Sequence, residues 1–216
     1  MAIGTTFGTI HSNTDLGLIQ QSVEVQPASP KTLYTSLPAA DGSLDMTEAF
    51  GRVMYDDRDI TWTFALYPKD GWSAKQREVS NALNGLNCHI ILDEDPDYYY
   101  DGRLIVNSYK RDKLLKQIVI KARCRPYKYE KDITTVTQAG IGAATSITLS
   151  NDRMPVIPEI TVDKGVKLTF GTATLSHDAG TFTWTDLVLV QGDNTVTVEP
   201  TGDPVTISIT YRKGAL

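Results

Sequence analysis

Residues 59–68 read DITWTFALYP. Ile60, Trp62, Phe64 and Leu66 fall on one side of a period-two alternation, and Thr61, Thr63 and Ala65 on the other. Side chains alternate across an extended strand, so this pattern predicts a strand with one face in a core. The preceding DDRD (56–59) reads as a turn, which makes GRVMY (51–55) the expected pairing partner. Further on, RLIVNSY (103–109) and LLKQIVIKARCR (114–125) form a second strand pair around YKRDK (109–113). In the latter strand Ile118, Ile120, Ala122 and Cys124 share one face, while Val119, Lys121, Arg123 and Arg125 share the other. That second face is expected to be wet or to meet a partner.

One segment departs from the strand pattern. GWSAKQREVSNALNGLN (71–87) places Val79, Ala82, Leu83 and Leu86 at helical spacing. Ser73 and Gln76 have the spacing of a capping box, and Gly85 and Asn87 can end the helix, predicted over 73–87. A single apolar stripe implies a helix laid on a sheet, and hence an α+β unit. After PYKYEKD (126–132) the chain turns small and polar, and a linker is expected over 131–144. From there SITLS, IPEITV, VKLTF, TATLS, TFTWTDLVLV, NTVTVEP and VTISITYR alternate with the turn signals DKG, HDAG, QGDN and PTGDP. The reading is mainly β: an α+β N-terminal domain over 1–130 with one helix on a sheet or barrel, then an all-β sandwich over 145–216.

The 216 residues are 41% hydrophobic and 22% charged, with a net charge of −5, as suits a globular chain rather than a nucleic-acid binder. No apolar run approaches the ~20 residues of a membrane span, so no membrane insertion is expected. The opening MAIGTTFGTIHSNTD lacks a basic region followed by a long apolar core, and no secretory signal is expected. Cys88 and Cys124 both lie in alternating segments and read as buried thiols.

The stretch HIILDEDPDYYYDGRL (89–104) crowds Asp93, Glu94, Asp95, Asp97 and Asp101 around Pro96 and three tyrosines. Counted from Asp93 as a calcium loop, position 6 is Tyr98 and position 12 is Leu104, so the turn glycine and the bidentate glutamate are both missing. Acids clustered on one turn share one environment and do not form a glycosidase pair. A rigid, hydrated turn whose tyrosines bury their rings explains the residues better. AGIGAAT (139–145) has Thr145 where a dinucleotide fingerprint needs glycine, and strands follow it rather than a helix. His11, His89 and His177 are scattered, and His89 reads as structural. No zinc, nucleophile-elbow or C-x-x-C motif appears, so no enzyme, cofactor or metal is expected. Between Lys110 and Lys131 nine Lys or Arg face two acids, Asp112 and Glu130; a solvated strand face or an electrostatic subunit contact fits better than nucleic-acid binding. Opposite charges on different surfaces suit head-to-tail self-association.

Several stretches, in order, resemble the distal tail protein family of long-tailed bacterial viruses with non-contractile tails. They are DGSLDMTEAFG (41–51), TWTFALYPKDGW (61–72) with the helix after it, CHIILDEDPDYYYDGRLIVNSY (88–109), ARCRPYKYE (122–130) and MPVIPEITV (154–162). LVLVQGDNTVTVEPTGDPVTISITYRKGAL (187–216) completes the set, with its Gly192, Asp193, Asn194 turn. The resemblance implies a structural protein whose N-terminal domain closes into a hexameric ring, single or stacked, that continues the bore of the tail. It implies a galectin-like C-terminal sandwich projecting outward. Implied partners are the major tail tube protein, tail-tip or baseplate proteins and receptor-binding proteins, with DNA passing through unbound. The implied location is the virion tail tip, or a related tail-derived particle, assembled in the host cytoplasm. On this basis Asp93, Glu94, Asp95, Asp97 and Asp101 are candidate channel-facing acids, and Lys121, Arg123 and Arg125 a candidate subunit interface. The alternative is a carbohydrate-binding adhesion accessory protein with Trp184 as the stacking residue. Phe182 and Trp184 share one strand face, however, and paired aromatics of this kind pack inward.

Overall fold

The computed structural model describes residues 3–66, 71–111 and 116–216, which form two units, Met1–Lys128 and Tyr129–Leu216. The first unit contains β1 (Thr5–Phe7), β2 (Ile10–His11), β3 (Ile19–Val25), β4 (Tyr34–Ser36), β5 (Ser43–Asp45), β6 (Arg58–Leu66) and α1 (Trp72–Leu83). It continues with β7 (Asn87–Leu92), β8 (Tyr98–Arg111) and β9 (Lys116–Cys124). Its main sheet runs β2-β1-β7-β8-β9-β6-β3, and the pairs with described registers are antiparallel.

The alternation in 59–68 is realised in β6. Ile60, Trp62 and Phe64 are fully buried and Leu66 nearly so; on the same side of the sheet the neighbouring β9 adds Ile118, Ile120, Ala122 and Cys124 to one core with Phe7, Val79 and Leu83. Phe7 packs edge-on against Trp62, with ring centroids 5.2 Å apart. The partner of β6 is not GRVMY, however. β6 lies between β3 and β9, in registers that put Trp62 opposite both Val23 and Ile120. The strand Ile19–Val25 has exposed polar residues at Gln21, Ser22 and Glu24 and little apolar signal, since it forms the sheet edge. β8 and β9 pair as expected, through Arg111 opposite Lys116; the turn at 112–115 lies outside the described residues.

The helix starts one residue earlier and ends sooner than its pattern indicates. Gly71 is its N-cap at φ 83°, with no side-chain cap, so Ser73 lies inside the first turn and no capping box forms. Asn84 ends it, Gly85 follows at φ 84°, and Asn87 already belongs to β7. Trp72, Val79 and Leu83 are the buried stripe.

The centre of the sheet holds a close approach. Gly102 on β8 lies opposite Cys88 on β7 and Cys124 on β9. A Cβ at Gly102 would come within 2.5 Å of Cys124 Sγ and 2.7 Å of the Arg123 carbonyl oxygen. The thiol therefore occupies the space a side chain would need.

β10 (Lys128–Glu130) spans the boundary between the units. The second unit contains β11 (Thr134–Ile141), β12 (Thr145–Asn151), β13 (Glu159–Val162), β14 (Val166–Phe170), β15 (Ala173–His177) and β16 (Gly180–Thr183). β17 (Gly192–Pro200), β18 (Val205–Tyr211) and β19 (Gly214–Ala215) complete it. Two four-stranded sheets, β11-β18-β13-β16 and β12-β17-β14-β15, enclose one core of Ile, Val and Leu. The stretch expected as a linker at 131–144 instead holds β11, which pairs with β18 from Thr134↔Tyr211 onward. Thr135 and Thr137 point out of this edge strand, and its other face carries only Thr134, Val136 and Gln138, half-buried, so the segment has little to bury. TFTWTDLVLV is not one strand either: β16 ends at Thr183, and the rest is irregular, anchored by the Val156↔Leu189 bridge. Both sheets carry hydroxyls outside, paired across strands as Thr137–Ser208, Thr161–Thr181 and Ser146–Thr197 at 2.9–3.3 Å. Asn194, in the turn read from the sequence, is buried; its Nδ2 donates to the carbonyls of Val190, Gly192 and Leu149, and its Oδ1 accepts from Val190 N at 3.0 Å.

Two stability predictions follow from these contacts. Gly102→Ala is expected to cost about 2 kcal/mol, because a backbone oxygen cannot yield as a side chain can. In urea unfolding, a loss under ~0.5 kcal/mol would show that the Cβ finds room. Asn194→Ala strands buried carbonyls and is expected to cost the second unit about 2 kcal/mol, read from its own unfolding transition.

Candidate functional site

The acidic turn closes the β7–β8 hairpin, and its carboxylates divide into two groups. Asp93 Oδ2 accepts the Gly4 amide at 2.8 Å and faces His11 Nε2 at 3.2 Å. The amides of Asn13 and Thr14 point at His11 Nδ1, at 3.3 and 3.2 Å, so that nitrogen accepts and Nε2 carries the proton toward Asp93. Asp95 accepts from Lys128 Nζ at 2.6 Å, and the same ammonium lies 4.3 Å from the centre of the Tyr98 ring. Asp101 pairs with Arg125 at 3.1 Å. These three acids tie the turn to the N-terminus, to Lys128 and to the end of β9. Glu94 and Asp97 are exposed and have no ion-pair partner among the described residues.

The tyrosines behave as amphipathic wedges. Tyr100 is buried, with the Arg58 guanidinium 5.6 Å from its ring centre, and burial raises its hydroxyl pKa above the usual value. Tyr99 stacks on His89 at 4.1 Å, which gives that histidine a packing role. Among the described residues no group of three or more His, Cys, Asp or Glu could hold a metal ion.

Lys121, Arg123 and Arg125 lie exposed on the outer face of β9 and the residue after it. Arg123 is directly opposite Arg103 on β8, a like-charge cross-strand pair that is unfavourable when the two heads are close. The two guanidiniums are drawn apart. Arg103 Nη1 donates to the Gly85 carbonyl, on the β7 side, at 2.6 Å. Arg123 Nε donates to Asp57, on the β6 side, at 3.0 Å. Between them a concavity of about 370 Å³ opens, lined also by Asn87, Asp101, Ile105 and Arg125. Ile105 is opposite Lys121 and remains 52% exposed.

A third surface escaped the sequence reading. Between β3 and β6 the chain leaves the sheet as a hairpin arm, and from Gln26 to Asp57 no residue is buried. Its two legs are joined by the Pro30↔Tyr55 bridge, by Lys31 N to Met54 O, by Met46 N to Leu33 O and by β4–β5 pairing. Leu33, Tyr34, Leu37, Leu44 and Met46 lie open to solvent, and Phe50 is 82% exposed. The DGSLDMTEAFG stretch covers its distal end. Apolar residues without a core to face produce no periodicity, so alternation could not reveal this element; density of Leu, Tyr, Met and Phe among Pro and Gly was the available signal.

Trp184, the stacking candidate, is 5% exposed and belongs to the sandwich core, with Nε1 donating to Asp186 at 3.2 Å. Phe182 packs against that core and stacks on His177 at 3.8 Å.

No known family model matches this sequence, and no curated protein matches it. Among solved structures the chain is similar to the crystal structure of the SPP1 Dit (gp 19.1) protein, described as a paradigm of the hub adsorption apparatus in phages infecting Gram-positive bacteria. The likeness covers 100% of both chains, with a TM-score of 0.65 and 13% sequence identity, and establishes a shared fold.

The thiols of this sheet generate a prediction. Burial pushes Cys88 up to about 11 and Cys124 up to about 12. Both stay protonated near neutrality, and neither is expected to react with iodoacetamide at about pH 8 until urea is added. Because the folded state holds these protons more tightly, their contribution to stability is full below pH 9.0 and is lost as pH rises through about 11 and about 12. Full native labelling in mass spectrometry would contradict the burial.

Proposed function

We propose that the chain is a structural subunit of a phage tail hub, located at the tail tip, and that it works by closing into a hexameric ring rather than by converting a substrate. The observation that carries this reading is the full-length likeness to SPP1 Dit, which extends through both units. The ordered sequence stretches quoted above point the same way.

The physical reading supports self-assembly. Phe50, Tyr34 and Leu44 stand exposed on one hairpin arm, and exposed apolar side chains grouped on one element mark a surface that can meet another chain. The outer face of β8 and β9 supplies a second, differently charged surface. Two unlike surfaces on one chain give heterologous contacts, which close into rings when the rotation per subunit allows. Lys121, Arg123 and Arg125 are assigned to such a subunit boundary. In a ring that continues the tail tube, the acidic turns line the channel and repel DNA, which carries about one charge per 1.7 Å of duplex. With Asp93, Asp95 and Asp101 held by internal partners, Glu94 and Asp97 supply the uncompensated part of that wall. The ring would join the tail tube protein above it to tail-tip and receptor-binding proteins below.

Native mass measurement tests this. The expected result is a particle of six times the 23.8 kDa chain mass, or twice that for stacked rings. A chain that stays monomeric at high concentration, with no copy at the tip of intact particles, would sink the reading.

A further inference from the structure

We infer that the concavity on the outer face of β8 and β9 is a binding site for a phosphomonoester. Arg103 and Arg123 grip the phosphate from opposite walls, Asn87 donates a third contact, and Ile105 faces the esterified group. The site is complete within one chain. It goes beyond the ring reading and does not depend on it.

Arg103 and Arg123 stand directly opposite each other on neighbouring antiparallel strands, and both are exposed. Left to themselves the two cations repel. Arg103 leans to the Gly85 carbonyl at 2.6 Å and Arg123 to Asp57 at 3.0 Å, on opposite sides of the concavity of about 370 Å³. An anion placed between them reverses the sign of the interaction, since each cation then faces negative charge. Charge in the lining favours this. Three arginines, Arg103, Arg123 and Arg125, stand against the two carboxylates Asp57 and Asp101, which leaves one positive charge in excess. Arg123 and Arg125 are paired with those acids, so the excess resides on Arg103, whose hydrogen bond goes to a carbonyl.

Donors are also in supply. A guanidinium presents a planar fork of N–H groups. Arg103 spends Nη1 on Gly85 and Arg123 spends Nε on Asp57, and each keeps a terminal Nη2 donor for a ligand. Asn87 lies opposite Arg103 on β7 and lines the same concavity, and its side-chain amide has no hydrogen-bond partner among the described residues.

This donor set suits phosphate better than carboxylate. It is drawn from β7, β8 and β9, and the terminal oxygens of a phosphate can meet all three, whereas a flat carboxylate is saturated by one fork. The volume points to an ester rather than the free ion, because cavities of ~300 Å³ and above hold small organic ligands. Ile105, in the lining and 52% exposed, offers apolar surface to the carbon skeleton. A nucleic-acid strand suits the face poorly. Asp57 and Asp101 in the lining, and Asp59 opposite Arg123, would meet the following phosphates of a duplex, which carries about one charge per 1.7 Å. A monoester brings one phosphate and no neighbour.

Isothermal titration calorimetry on the full-length protein at fixed ionic strength tests the site, with phenyl phosphate, inorganic phosphate, acetate and a short DNA duplex as probes. Phenyl phosphate is expected to bind saturably at one site per chain, and inorganic phosphate about threefold more weakly, for want of the Ile105 contact. Arg103→Gln is expected to weaken phenyl phosphate about tenfold or more. Arg103→Lys, which keeps the charge and loses the fork, weakens it by a smaller factor. Lys164→Gln, at an exposed cation of the second unit, leaves it unchanged. No saturable binding, equal binding of acetate, or equal binding by Arg103→Gln would overturn the site. Inorganic phosphate binding as tightly as phenyl phosphate would overturn the ester assignment. A duplex that displaces phenyl phosphate in an Arg103-dependent manner would overturn the ligand class and make the face a nucleic-acid surface. If circular dichroism shows that Arg103→Gln does not fold, Asn87→Ala at an exposed position replaces it, with about threefold weakening expected and an unchanged affinity counting against the site.

Discussion

The first unit depends on one constraint: β9, paired with β6 on one side and β8 on the other, must keep an unbroken apolar face on the core side of the sheet. Ile118, Ile120 and Ala122 satisfy it toward both neighbours at once, and a one-residue slip would place Lys121 and Arg123 in the core. Register is therefore strongly specified, and the cations are forced outward. The charged outer face is thus a by-product of the core's alternation as much as a feature in its own right. Gly102 adds a second restriction in the same sheet, since only a residue without a side chain lets the Cys124 thiol lie beneath β8.

The same logic separates what could be read in the sequence from what could not. β6, β8, β9, the helix and most sandwich strands bury alternate or helically spaced residues, and the spacing announces them. β3 and β11 were missed because both are edge strands with polar side chains, whose backbone hydrogen bonds leave no mark on composition. The capping box at Ser73 failed because a glycine in left-handed conformation begins the helix without a side-chain cap. Of the candidate site, the acidic turn and the basic face were legible as charge clusters, but not the way Asp93, Asp95 and Asp101 turn to internal partners. Those partners are Gly4, His11, Lys128 and Arg125, and three of them lie far away in sequence, so only the fold brings them together.

The likeness to SPP1 Dit at 13% identity is understandable on these terms. A sandwich and a strand sheet ask for alternation, small residues at close approaches and turn residues at fixed offsets. Many sequences meet those demands with few identities in common. The surfaces are freer still, and so the arm and the outer face of β8 and β9 carry the chemistry particular to this chain.

The cross-strand hydroxyl pairs on the sandwich have a consequence of their own. The first unit stitches its outer strands with charged pairs such as Arg123–Asp57 and Arg125–Asp101, whose attraction fades as dissolved ions shorten the Debye length, already ~10 Å at 0.1 M. Thr137–Ser208, Thr161–Thr181 and Ser146–Thr197 bear no charge and neither gain nor lose protons over the ordinary range. Salt and acidity therefore act on one kind of stitching and spare the other: the ion pairs of the first unit, and Lys167–Glu199 between β14 and β17 of the second, answer to their ionic surroundings, whereas the hydroxyl pairs of the sandwich do not.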